Sequence, residues 1–209
     1  MPFDLWLTFV AATAALLLIP GPTVLLVLSY ALSKGRSVAL ASAGGVALGD
    51  FIAMSASLAG LGALVLASAT AFSLLKWIGA AYLVYLGAKL IRSAKDADFN
   101  LPDATDITAS RVFSHTAAVT ALNPKSIAFF IAFVPQFIAP NAPLAPQFAI
   151  LITTFVTMGG LNALIYALAA DRLRRTIKRP GVLPWITRAG GGTLVAMGLL
   201  TATLRRSTT

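Results

Sequence analysis

Leu16-Leu17-Leu18-Ile19-Pro20-Gly21-Pro22-Thr23-Val24-Leu25-Leu26-Val27-Leu28 is an apolar run broken in its middle by the residues that helices tolerate least. The run extends without a charge from residue 5 to residue 32, and about 20 apolar residues suffice to cross a hydrocarbon layer. A proline inside such a helix frees backbone groups that lipid cannot satisfy. Breaks of this kind are therefore kept where they are buried in protein or line a cavity. The stretch reads as a membrane helix interrupted at a site.

Five further apolar runs follow, at residues 38–67, 72–91, 112–138, 147–169 and 183–204. Composition agrees with them: 58% of the chain is hydrophobic and only 11% charged, where a soluble domain carries about 25% charge. The expected fold is all-α, a polytopic membrane protein of six transmembrane helices forming one domain over residues 1–209. Six spans leave no room for a soluble domain. All seven acids are Asp, there is one His, and there is no Cys. That excludes disulfides, thiolate sites and His-based metal cages, so neither cofactor nor metal is expected. The segment before the first run carries Asp4 and no basic residue, which predicts a retained helix and not a cleaved signal.

The net charge of +9 comes mostly from the loops. Lys34 and Arg36 fall in the first loop, Lys89, Arg92, Lys95 and Arg111 around the third, and Arg172 to Arg188 around the fifth. Lys and Arg are retained on the cytoplasmic side, so these loops are expected inside and both termini outside. The basic stretch from Arg172 is a topology signal with affinity for anionic lipid, and no nucleic-acid partner is expected. The acidic loop with Asp96, Asp98, Asp103 and Asp106 reads as a solvated connector.

The chain also repeats itself. Gly79, Leu83, Val84 and Gly87 in the third run match Gly190, Leu194, Val195 and Gly198 in the sixth, each 111 residues apart. Gly44-Gly45 echoes Gly159-Gly160, and Pro20-Gly21-Pro22 echoes Asn123-Pro124. Two halves are expected, residues 1–92 and 111–209, joined by a cytoplasmic loop at 93–110. An odd number of spans in each half inverts the second, a plan common among secondary transporters, with the site near the midplane.

Polar groups gather at one depth. Counting from the cytoplasmic ends at 1.5 Å per residue puts Pro22, Asp50, Tyr82, Lys125 and Asn162 at roughly 13–20 Å, near the middle of a layer about 30 Å thick. A charge there costs about 2.5–3.5 kcal/mol on insertion scales and is functional by default. Asp50 and Lys125 are thus a helix-tying pair, a gate, or a binding site. Helix N-termini attract anions. New half-helices beginning after Pro22 and beside Lys125 suit a carboxylate, and Asp50 suits an ammonium group or a proton. The paired glycines read as helix-packing positions, His115 as an interfacial residue, and Trp6, Trp77 and Trp185 as interfacial anchors.

Through these motifs the chain resembles the LysE/RhtB family of amino-acid exporters. The residues that carry this are Pro20-Gly21-Pro22, Gly44-Gly45 with Gly49-Asp50, Lys76-Trp77-Ile78-Gly79-Ala80-Ala81-Tyr82-Leu83 with Leu86-Gly87, and Asn123-Pro124-Lys125 with Phe129-Phe130 and Pro135-Gln136-Phe137. The resemblance implies a multi-pass bacterial inner-membrane protein that moves amino acids or close derivatives outward at the expense of the proton gradient. Family members carry homoserine, threonine, leucine, lysine or arginine. The expected substrate-binding residues are Pro20, Gly21, Pro22, Asp50, Tyr82, Asn123, Pro124, Lys125 and Asn162, with Asp50 also the proton-coupling residue. Expected partners are the amino acid, protons and lipid. The alternative is an inorganic ion carrier or channel, although one acid facing one lysine offers few of the oxygens a hard cation wants. No acid–base pair or metal motif at membrane depth points to an enzyme.

Overall fold

Pro22 and Pro124 each open a helix, the position where a missing N–H costs nothing and a fixed φ is already helical. In the computed structural model, α1 (Phe3–Leu18) ends just before the first break and α2 (Pro22–Lys34) begins after it. The two axes meet at 57°. α3 (Ala39–Ala67) and α4 (Ala69–Ser93) complete the first half. There follow α5 (Ala109–Ala121), α6 (Pro124–Ala132) with a 3-10 turn at Val134–Phe137, α7 (Leu144–Leu168) and α8 (Val182–Thr203). The structure describes residues 1–19, 21–34, 38–94, 108–139, 142–170, 172, 176 and 181–203. Pro20, the acidic connector and most of the basic stretch after Arg172 lie outside them.

The described residues are helical, with no strand. Three helices are long and apolar enough to cross a membrane, at Ala39–Ala63, Ser73–Ser93 and Leu144–Leu168, and the bent α1–α2 pair makes a fourth if taken as one broken span. This is the architecture of a polytopic membrane protein.

Glycines decide how closely the helices approach. On α4 and α8, a Cβ at Gly87 would meet the carbonyl of Gly191, with Val195 Cγ2 at 2.7 Å, while a Cβ at Gly198 would meet the carbonyl of Ala80, with Val84 Cγ2 at 2.7 Å. As the number rises on α8 it falls on α4, so the helices run antiparallel. Moving Ala80, Val84 and Gly87 along by 111 residues gives Gly191, Val195 and Gly198, so each contact is the image of the other. α3 and α7 are antiparallel too, Gly62 lying by Phe148 and Gly159 by Asp50. Gly45 and Gly49 bring α3 onto α5, where a Cβ at Gly49 would lie 2.6 Å from the Ala117 carbonyl.

The principal core is aromatic. Phe129, Phe130, Phe133 and Phe137 follow one another down α6 and its 3-10 turn, and pack with Phe155 of α7 and Phe9 of α1. Phe130 and Phe155 meet edge-on, centroids 4.7 Å apart. At the far end Gln147 holds the turn between α6 and α7, accepting from the Ala139 amide at 2.7 Å and donating to the carbonyls of Ala139, Ala142 and Pro143.

Candidate functional site

A helix end leaves its last four carbonyls without intrahelical donors. Where α1 stops at the break, side chains from the second half supply them. Lys125 Nζ donates to Leu16 O at 3.2 Å and to Ile19 O at 2.9 Å. Asn162 Nδ2 donates to Leu17 O at 3.3 Å, and the Tyr166 hydroxyl to Leu18 O at 3.4 Å. An ammonium at a helix C-terminus also complements the macrodipole. Lys125 sits in the first turn of α6, and its ammonium also reaches across to the carbonyl end of α1, because a four-carbon stem carries the charge well away from its own backbone.

The second break is capped by Asn123, whose Oδ1 accepts from the Lys125 amide at 3.0 Å. Its Nδ2 donates to Thr23 Oγ1 at 3.2 Å, and Thr120 Oγ1 donates to the same oxygen at 3.4 Å. The two breaks are therefore joined directly, through the first turn of α2.

Asp50 lies at this junction, 2% exposed. Among the described residues its carboxyl group has no hydrogen-bond partner. It lines a cavity of about 30 Å³ together with Gly21, Thr23, Asn123, Lys125 and Asn162, room for little more than about one or two waters. Gly159 forms the floor beneath the carboxylate, and a Cβ there would run into Asp50 Oδ2.

A second, open cavity of about 510 Å³ begins at the same breaks, sharing Gly21, Asn123 and Lys125 with the first. Pro22 and Pro124 line this one. It continues between α4 and α8 to Lys89 and Ser93, in the last turns of α4, and to Thr187, near the start of α8. The phenylalanine cluster lies the other way. Gly79, two turns before Leu86 on α4, packs on Ala132 at the end of α6, so α6 runs from the cavity toward that cluster.

Of the expected site residues, Gly21, Asp50, Asn123, Lys125 and Asn162 come together in the small cavity, Pro22 and Pro124 line the open one, and Pro20 lies outside the described residues. Tyr82 stands apart from these: it lines neither cavity, is 40% exposed and stacks on Tyr85. It shares the face of α4 that carries Leu86, Lys89 and Ser93 and lies one turn beyond Leu86, the innermost of the three. Thr23, Thr120 and Tyr166 as side chains went unrecognised, since single hydroxyls in apolar helices carry no pattern. His115 is exposed, and its Nδ1 is hydrogen-bonded to the Tyr30 hydroxyl.

Two broken helices, joined at a charged cavity inside a helical membrane bundle, define a membrane translocator. The chain belongs to the LysE type translocator family, which it matches over residues 14–205. It is 33% identical to the homoserine/homoserine lactone efflux protein of Salmonella typhimurium over 99% of this chain and all of that protein. An uncharacterized membrane protein of Vibrio cholerae is 32% identical over 98% of this chain and all of its own length. The leucine efflux protein of Salmonella choleraesuis is 32% identical over 70% of each. No solved structure matches the chain.

Proposed function

We propose that this protein exports an amino acid or a close derivative across the bacterial inner membrane, driven by inward proton flow. The observation that carries this is the meeting of Asp50 and Lys125 in one buried cavity at the junction of two helix breaks. Lys125 offers a cation to a carboxylate, and Asp50, unpartnered among the described residues, offers an anion to an ammonium group or a carrier to a proton. A zwitterion fits both. The relatives named for homoserine and leucine efflux support the same class.

The full architecture is six spans as two inverted three-helix repeats, α1–α2, α3, α4 and α5–α6, α7, α8, with both termini outside. The mirrored Gly87 and Gly198 contacts and the antiparallel pairing of α3 with α7 support the inversion. With Lys89 and the basic loops in the cytoplasm, the open cavity is an inward-facing vestibule. The phenylalanine cluster is then the outer seal. Substrate enters from the cytoplasm, and repacking of that cluster releases it outward.

The test is export from bacteria expressing the protein and loaded with dipeptides, with every amino acid in the medium quantified, with and without a proton uncoupler. Faster efflux of one group of amino acids, abolished by the uncoupler, is expected. No change for any amino acid, with the protein shown folded in the membrane, overturns amino-acid export. Efflux indifferent to the uncoupler overturns proton coupling.

A further inference from the structure

The small cavity accounts for the charged ends of an amino acid, but at about 30 Å³ it has no room for a side chain. The open vestibule does: about 510 Å³ lies within the roughly 300–1,000 Å³ typical of small-molecule pockets. It starts at Lys125 and Asn123, so a ligand whose carboxylate rests there projects the rest of itself between α4 and α8.

The walls of that space are aliphatic. Leu25 of α2, Leu86 and Leu90 of α4, and Leu183 and Leu194 of α8 line it. Leu194 is fully buried, whereas Leu25 is 40% exposed. Hydroxyls enter only at the rim, from Ser93 and Thr187. The charged lining residues are two ammonium groups, Lys125 at the inner end and Lys89 at the mouth, with no acid among the described lining residues. Asp50 belongs to the other cavity.

Building on the export function proposed above, we propose that this vestibule is the side-chain subsite and that Lys89 sets its charge selectivity: the substrates are amino acids with neutral aliphatic side chains, and lysine and arginine are excluded. An aliphatic side chain gains by covering the leucines, at about 25 cal/mol per Å² of apolar surface removed from water. A cationic side chain of similar length must place its charge in the same space, facing Lys89 with no acid to offset it. Lys89 is exposed at the mouth, and like charges near a protein surface still repel several-fold more strongly than in bulk water. Lys89 is thus a specificity-determining residue that the position of a single basic residue near a helix end does not announce; in the sequence it is one more inside-facing charge.

The experiment is counterflow in liposomes containing the purified full-length protein, with radiolabelled L-leucine, L-methionine, L-lysine and L-arginine as probes. The wild-type protein is expected to exchange leucine and methionine about tenfold or more faster than lysine and arginine, a factor in keeping with one repulsive charge at this range. Lys89→Glu is expected to lower the leucine-to-lysine rate ratio about tenfold or more, with Lys89→Gln in between. The ratio is read within each preparation, so partial loss of folded protein does not disturb it. Equal exchange of leucine and lysine by the wild-type protein overturns the selectivity while leaving amino-acid export standing. An unchanged ratio in Lys89→Glu removes Lys89 from it. Exchange of no amino acid overturns both the selectivity and the function on which it rests.

Discussion

The ammonium of Lys125 rests on the carbonyl of Ile19, 2.9 Å away, tying the second helix break to the end of the first. A charge on α6 thus completes the hydrogen bonding at the end of α1. The same ammonium lines the cavity that holds Asp50. On the proposed function, a carboxylate arriving from the open cavity would compete with the α1 carbonyls for it, linking ligand binding to the packing of α1.

Replacing Lys125 with Met removes both interactions. Leu16 O keeps the Ile19 amide as donor, but Ile19 O loses the ammonium; a buried polar group left without its partner costs about 1–3 kcal/mol, so Lys125→Met should lower the unfolding temperature in detergent and abolish export. A variant that keeps full thermal stability would show that the α1 carbonyls find other donors.

Asp50 gives the opposite pattern. Its carboxyl group has no hydrogen-bond partner among the described residues and acts on Lys125 only through space, while a buried charge is itself costly. Asp50→Asn should therefore fold and reach the membrane as well as the wild-type protein. If Asp50 carries the proton, the Asp50→Asn variant still exchanges substrate in liposomes but no longer drives uphill export. Loss of exchange as well would assign Asp50 to the ammonium group, and intact uphill export would remove it from the mechanism.

Gly159 and Gly160 form a matched test. A Cβ at Gly159 runs into Asp50 Oδ2, whereas one at Gly160 meets Ala47 Cβ at an ordinary 3.5 Å. Gly159→Ala should cut export about tenfold or more by displacing the carboxylate, and Gly160→Ala should change it by less than about twofold. Export assays normalised to the amount of membrane protein decide it; similar effects from both would mean that the Asp50 position is not critical.

The α4–α8 seam makes a stability prediction independent of substrate. Gly87→Ala drives a methyl group into the Gly191 carbonyl, and overpacking of this kind costs about 1–3 kcal/mol. Gly192 has nothing within 4 Å of a built Cβ, so Gly192→Ala should be neutral or stabilising by up to about 1 kcal/mol from helix propensity. Thermal unfolding of the two variants in detergent measures the difference.

The amino-acid sequence by itself determined the class of fold, the breaks and which two charges lie within apolar runs. Apolar runs of spanning length, prolines inside them, and a rise of about 1.5 Å per residue are local properties, and they hold whichever way the helices turn. Gly87 and Gly198 were legible as packing positions for the same reason. Facing was not local. Leu83 is fully buried while its neighbour Tyr82 is 40% exposed, since the partner helices choose which side is buried. Lys125 was legible as a midplane charge, but its contact with Leu16 and Ile19 joins residues more than a hundred positions apart. The division of the site into a tight charged cavity and a leucine-lined vestibule likewise exists only once α2, α4, α6 and α8 surround one space. Depth follows from distance along a single helix, whereas a binding site is enclosed by several, and only their packing decides what its walls are.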